Sequence, residues 1–321
     1  MRVLHITQQL ISGGVANVVL NILKEFWSLG IENVIASFSK PSSDHLKILN
    51  NAVSKFYMIE KANISPHTSY FYTITNLSKI EELIAKEKPD AVIIQPGWLS
   101  LFSSAVPENI PVIIVVHGTY KSEIKFMKYH PLRGVEKIRY MLGIRLSHEI
   151  EMTQLNITSK KKNVKIVTVS KNTRRELIEE GVPESKVFSI LNGVNKKRFK
   201  PLNKDFAKAL IEESLNIRLK NKVLLHVNLG PRKGTHMLLK AVAMLKKICE
   251  EDFTLLIAGR LGPKSYREYV EHMIKNLKLE ENVKLLGYVD NQKLPLLYNA
   301  ADLTIVPSYS EGAPLVIPES L

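Results

Sequence analysis

Apolar residues in this chain follow two rhythms. Short, almost wholly apolar runs alternate with longer stretches in which apolar positions recur every three or four residues. The short runs are Val3–Thr7, Val34–Phe38, Ala91–Ile94, Val112–Val116, Ile166–Val169 and Val187–Leu191, then Val223–Val227, Thr254–Ala258, Val283–Leu286 and Leu303–Val306. A run without polar alternation predicts a parallel strand covered on both faces. The helical rhythm predicts a helix after Ser12-Gly13-Gly14 that ends at Gly30. It predicts others at Leu77–Lys88, Val135–Gln154, Lys171–Glu180, His236–Lys247, Tyr266–Leu279 and Lys293–Ala300. Gly30 and Gly181 stand where a helix C-terminus favours glycine, and Pro89-Asp90 ends the third stretch. Strands alternating with helices imply an α/β fold with parallel sheets. Polar residues dominate Asn192–Lys222, and Asn192–Pro201 reads as the crossing between domains at 1–195 and 196–321. The expected architecture is two doubly wound α/β domains facing a cleft.

Composition narrows the class. The chain has 321 residues, of which 45% are hydrophobic, enough for packed cores. A single cysteine, Cys249, cannot form an internal disulfide, which points to a reducing, cytoplasmic setting. No apolar run reaches the ~18 residues of a membrane span. The N-terminus lacks the long apolar core of a signal peptide and reads as a first strand. Formal net charge is +14, and Lys121–Lys165 holds eleven Lys/Arg against four acidic residues. That excess is either a solvated helix face with a basic loop or a patch for anionic headgroups at the inner face of a membrane. Nucleic acid is disfavoured, because no interleaved aromatics, zinc knuckles or helix-turn-helix signals accompany it.

Several residues stand at the carboxyl ends of predicted strands, the edge where open α/β sheets bind ligands. Gly13 and Gly14 follow the first strand and open a helix. Glycine there lets backbone approach a ligand, and a helix N-terminus favours anions; a plain turn is the alternative. The third glycine of a dinucleotide fingerprint is absent, which argues against a nicotinamide enzyme. Gln95 and His117 end two neighbouring strands. Arg232 and Lys233 lie in the loop after Val223–Val227. Glu311 follows Leu303–Val306, and Glu319 comes eight residues later. The eight histidines other than His117 show no metal-ligand spacing, and no Asp-x-Asp occurs.

Taken in order, Thr168-Val169-Ser170-Lys171-Asn172, Leu191-Asn192-Gly193-Val194-Asn195 with Phe199, Pro231-Arg232-Lys233-Gly234, Leu255-Leu256-Ile257-Ala258-Gly259, Leu285-Leu286-Gly287-Tyr288-Val289 and Pro307-Ser308 with the two glutamates resemble the retaining glycosyltransferases of family 4 (group 1). These enzymes have the GT-B fold of two Rossmann-like domains. The likeness runs the length of the chain. It implies transfer of a sugar from a nucleoside-diphosphate sugar to a hydroxyl acceptor, lipid-linked or polysaccharide, with retention. The first domain would take the acceptor and the second the donor.

The resemblance also assigns roles. His117 contacts a sugar hydroxyl near the reacting carbon, with Gln95 and Gly13 on the acceptor side. Glu311 lies against the transferred sugar, where a carboxylate stabilises positive charge at the anomeric carbon. Glu319 accepts from the ribose hydroxyls. Lys233, with Arg232, neutralises the diphosphate, Gly14 and the backbone of Ala313 and Leu315 meet phosphate, and Gly259 and Val289 border the base. Lysine in place of carboxylates implies a site that needs neither metal nor cofactor.

Three departures qualify the likeness. Asn228 stands where the family carries an arginine, so Arg232 is expected to supply the missing charge. Pro318 stands where a helix should run, so that helix starts late or is kinked. The chain stops at Leu321, inside a unit the family continues; the second domain is expected to be incomplete, and a catalytically inactive truncated remnant acting as a binding module is the alternative function.

Overall fold

The computed structural model describes residues 1–8, 10, 13–38, 41, 43–59, 68–259 and 264–321. Ser12 of the predicted helix lead-in lies outside them. The chain divides into two compact units, Met1–Ile124 with Arg139–Gly193, and Lys125–Ile138 with Val194–Leu321.

The first unit is built on a seven-stranded sheet, counting described residues. Its strands are β1 (Arg2–Thr7), β2 (Glu32–Ser37), β3 (Lys55–Met58), β4 (Ala91–Gln95), β5 (Val112–Val116), β6 (Val164–Thr168) and β7 (Val187–Ser189). The order is β3-β2-β1-β4-β5-β6-β7, and neighbouring strands are parallel. The chain runs outward from β1 to β3, then returns to β4 on the other side of β1. The order reverses between β1 and β4, which makes their carboxyl ends a topological switch point.

Side-chain alternation divides the core. Leu4 and Ile6 of β1 join Val34, Ile94, Ile114 and Ile166 on one face. Ile35 points the other way, onto Val19, Leu20 and Leu23 of α1 (Gly14–Ser28) and Leu49 of α2 (Ser43–Ala52). Further helices are α3 (Ser69–Thr75), α4 (Leu77–Glu87), α5 (Lys121–Phe126), α6 (Gly134–Thr158) and α7 (Lys171–Glu179), with a 3-10 helix at Gly97–Ala105. Ser170 caps α7, its Oγ accepting from the Thr173 amide at 3.1 Å.

The second unit carries α8 (Lys204–Leu215), β8 (Lys222–Val227), α9 (Thr235–Ile248), β9 (Phe253–Ala258), α10 (Lys264–Asn276), β10 (Val283–Gly287), α11 (Leu294–Ala300), β11 (Leu303–Thr304) and α12 (Val316–Ser320). Its parallel sheet is ordered β10-β9-β8-β11, so the switch point lies between β8 and β11. Leu224 packs toward α9 and α10 with Leu239 and Val270, and Leu225 toward α8 and α11 with Ile211 and Leu297.

Most predicted elements are present within a residue or two of their expected ends. The differences have physical reasons. β3 is an edge strand with exposed Phe56 and Met58, so it shows no apolar run. Helix α8 hides in the charged stretch after the predicted crossing. Asn203 caps it, and only Ala207 and Ile211 are buried. Strand β11 ends at Thr304, two residues short of prediction, although the Ile305 amide still bonds the Leu225 carbonyl at 2.8 Å. The last helix begins at Val316, so Pro318 falls in its first turn, where its missing N–H costs nothing and no kink is needed. Among the described residues, no helix is long and apolar enough to cross a membrane.

Candidate functional site

In the first unit, polar groups collect at the ends of β4 and β5. Gln95 is fully buried at the last position of β4. Its Oε1 faces His117 Nε2 at 3.1 Å. An amide oxygen only accepts, so Nε2 carries the proton and Nδ1 keeps its lone pair. Burial pushes the His117 imidazole down to about 4, so the ring is neutral at physiological pH. His117 therefore offers Nδ1 as a hydrogen-bond acceptor, the partner a hydroxyl needs.

The loop after His117 is held from α7. Glu176 accepts from Thr119 Oγ1 at 2.5 Å and Ser122 Oγ at 2.7 Å, and from Asn172 Nδ2 at 2.9 Å. Glu151 of α6 lies beside Gly97, 2% exposed, with Oε2 unpartnered among the described residues. Burial pushes its carboxyl up to about 8. A Cβ at Gly97 would come within 3.0 Å of Glu151 Oε1 and 2.8 Å of Val116 Cγ2. Gly97 is thus the packing partner that leaves room for the buried acid. Gly13, at φ +106°, precedes α1, and Gly14 is its first residue; both are exposed at the end of β1.

In the second unit, the switch point holds charge. The loop after β8 turns at Asn228, whose φ of +72° asparagine tolerates better than most residues. Asn228 is exposed, and its Oδ1 lies over Gly259, where a Cβ would approach to 2.6 Å. Arg232 and Lys233 follow four and five residues past the turn, in the same loop. Lys233 Nζ donates to Glu311 Oε1 at 2.5 Å, and Arg232 Nη1 lies 3.1 Å from Glu311 Oε2. Arg232 Nη1 also donates to the Ser310 carbonyl at 2.5 Å. Burial alone would push the Glu311 carboxyl up, but the charges of Arg232 and Lys233 outweigh it and hold the group below the ordinary carboxylate range. Burial pulls the Lys233 ammonium down, and Glu311 opposes that shift.

The loop that carries these cations is fixed without them. Gly234, at φ +71°, packs so closely on the Pro307 carbonyl that no Cβ fits. Buried His226 on β8 donates from Nδ1 to the Ile305 carbonyl at 3.0 Å and accepts at Nε2 from Thr235 Oγ1 at 3.0 Å. The Tyr309 amide bonds the Arg232 carbonyl at 2.9 Å, and the Tyr309 ring lies against His236 and stacks on Tyr129.

Glu319 forms a separate group. Its Oε2 accepts from Tyr298 Oη at 2.9 Å, and burial pushes its carboxyl up despite Tyr298 and Arg198 nearby. Ala313 and Leu315 lie in the turn leading into α12, with Leu315 at its N-cap. The Val289 side chain is buried in the core with Ala258 and Leu297. The structure therefore joins Arg232, Lys233 and Glu311, joins Gln95 with His117, and sets Glu319 with Tyr298. Sequence reasoning missed Glu151, Glu176, His226, Tyr298 and Tyr309. A histidine inside the apolar run Val223–Val227 was the readable signal for His226. Glu151 gave none, because charged residues on a long helix ordinarily face water.

Two parallel, doubly wound units with polar groups at their switch points are the GT-B glycosyltransferase fold. HepE of Anabaena, in complex with UDP and glucose, superposes with a TM-score of 0.72 over 100% of this chain and 78% of that one, at 18% identity. The description "Glycosyltransferase Family 4" matches residues 12–198, and "Glycosyl transferases group 1" matches residues 207–321. The chain belongs to glycosyltransferase family 4. An uncharacterized glycosyltransferase of Methanocaldococcus jannaschii is 30% identical over 159 residues, 49% of this chain and 39% of that protein. The D-inositol 3-phosphate glycosyltransferase of Corynebacterium glutamicum is 32% identical over 131 residues, 40% of this chain and 31% of that protein. The chain thus spans well under half the length of these curated relatives in the matched stretches.

Proposed function

We propose that this protein transfers a sugar from a nucleoside-diphosphate sugar to a hydroxyl acceptor, with retention of configuration and without a metal or other cofactor. The observation that carries the reading is the Arg232–Lys233–Glu311 cluster at the β8/β11 switch point. A diphosphate buried there needs cations on an ordered loop, because unpaired charge is costly to desolvate. Arg232 and Lys233 supply two adjacent positive charges, and Arg232 offsets the neutral Asn228. Glu311 is the carboxylate next to that site and stabilises positive charge as the anomeric bond breaks. Glu319 receives the ribose hydroxyls, and the 196–321 segment as a whole serves the donor.

The 1–195 segment serves the acceptor. Neutral His117, oriented by Gln95, accepts a hydrogen bond from a substrate hydroxyl. In the reaction the bond from the anomeric carbon to the phosphate oxygen breaks and the bond to the acceptor oxygen forms on the same face. The acceptor proton passes to the leaving phosphate. HepE, crystallised with UDP and glucose, supports a uridine donor as the first to try. The basic stretch Lys121–Lys165 supports peripheral contact with an anionic membrane and a lipid-linked acceptor.

Thermal stability with UDP, GDP, ADP and their sugar conjugates tests the reading. Ligand at ~100 times its dissociation constant stabilises by about 2.7 kcal/mol. A shift with one nucleotide family names the base. No shift with any refutes the donor site. Glu319→Ala should weaken that binding, and His117→Ala should remove turnover while leaving it intact.

A further inference from the structure

Resting on this donor-site reading, we propose that Glu311 is an internal counter-anion that the donor's diphosphate must displace from Arg232 and Lys233 before the carboxylate is free to face the sugar. Both Glu311 oxygens are committed to those cations, Oε1 to Lys233 at 2.5 Å and Oε2 to Arg232 at 3.1 Å. The groups that hold an anionic leaving group are therefore the groups that hold Glu311.

Three features separate this pair from an ordinary structural ion pair. The loop is shaped independently, by Gly234 against the Pro307 carbonyl, by Thr235 on His226, and by the Tyr309 amide on the Arg232 carbonyl. Arg232 keeps a second anchor, the Ser310 carbonyl at 2.5 Å, so it stays placed when Glu311 leaves. The Glu311 and Lys233 side chains are 17% and 18% exposed and the Arg232 side chain 37%. The cluster is covered enough that unpaired cations are costly, yet open enough for an anion to reach them.

The chemistry follows from charge. One carboxylate faces two cations, leaving an excess positive charge for a stronger anion. A diphosphate satisfies both cations and repels the carboxylate. Affinity for the nucleotide is thus reduced by the strength of the pair it replaces, and the displaced Glu311 is delivered beside the bond that breaks. Nucleotide affinity and catalytic carboxylate oppose each other.

The test is calorimetric titration of the full chain with UDP and with inorganic pyrophosphate, comparing Glu311→Gln, Glu311→Ala and Lys233→Ala with the unaltered protein. Glutamine keeps the shape and removes the charge. Both Glu311 variants should bind each probe about tenfold tighter, the scale of a partly exposed ion pair with two partners, and Lys233→Ala should bind more weakly. Unchanged or weaker binding by the Glu311 variants, with binding lost in Lys233→Ala, overturns the counter-anion and leaves the donor site standing. No binding by any form, each folded by circular dichroism, removes the donor site and the proposal together.

Discussion

The two switch points solve one problem in opposite ways. At β1/β4 and the neighbouring β5, the polar side chains are held neutral: His117 is pushed down to about 4 and Glu151 up to about 8 by burial. At β8/β11 they stay ionised, because Arg232, Lys233 and Glu311 compensate one another. The difference lies in what surrounds each carboxyl. Among the described residues no cation pairs with Glu151, and desolvation decides its state. Glu311 has two, and they outweigh desolvation. Neutral groups suit hydrogen bonding to hydroxyls. Paired ions suit exchange for an anion.

The largest expected effect tests how rigidly the charged side is built. Gly234→Ala puts a Cβ onto the Pro307 carbonyl at a φ of +71°. Left-handed strain and overpacking together should cost about 3–5 kcal/mol, read by chemical denaturation. If Gly234→Ala were as stable as the unaltered chain, the loop would not be fixed independently of its ions.

The pH dependence should differ in sign between the two carboxyls. The folded state keeps a proton on Glu151 up to about pH 8, whereas the unfolded chain releases it near the ordinary glutamate value of 4.5. The folded form binds more protons in that window, so stability falls as pH rises, by up to about 1.4 kcal/mol per pH unit. Glu151→Gln should flatten this slope. Glu311 works the other way: its folded value lies below 4.5, so its contribution is present above that and lost as pH falls through the folded value. A Glu151→Gln variant with an unchanged slope would place the neutral behaviour elsewhere.

Gly97→Ala is the milder counterpart of the Gly234 change, costing about 1–3 kcal/mol, since Val116 Cγ2 and Glu151 Oε1 are side-chain atoms that can give. Equal losses at Gly97 and Gly234 would erase the contrast between a yielding side and a fixed one. Smallest is Tyr298→Phe, which removes the hydroxyl bonded to Glu319 at 2.9 Å. It should cost about 1 kcal/mol and, on the donor reading, weaken UDP binding only slightly in the same titration.

Legibility in the sequence followed burial. Strands such as Val112–Val116 and Thr254–Ala258 announced themselves because both faces are covered. Edge strand β3 and helix α8 did not, since water covers much of each. Among site residues, Gln95 and His117 were legible as strand ends, and Lys233 and Glu311 as loop residues at the ligand edge. Their pairing was not, because 78 positions separate Lys233 from Glu311. Tyr298 and Glu151 were invisible as functional neighbours, one lying in an ordinary helix pattern and the other in a charged one.

By itself the sequence determined that the sheets are parallel, where the covered strands run, and which chemistry-bearing residues follow them. Local periodicity and glycine placement suffice for that, since they act over a few residues. Only the tertiary structure decided which of those residues are charged. Protonation depends on desolvation, which alone lowers His117, and on partners brought from distant parts of the chain, as Arg232 and Lys233 are brought to Glu311.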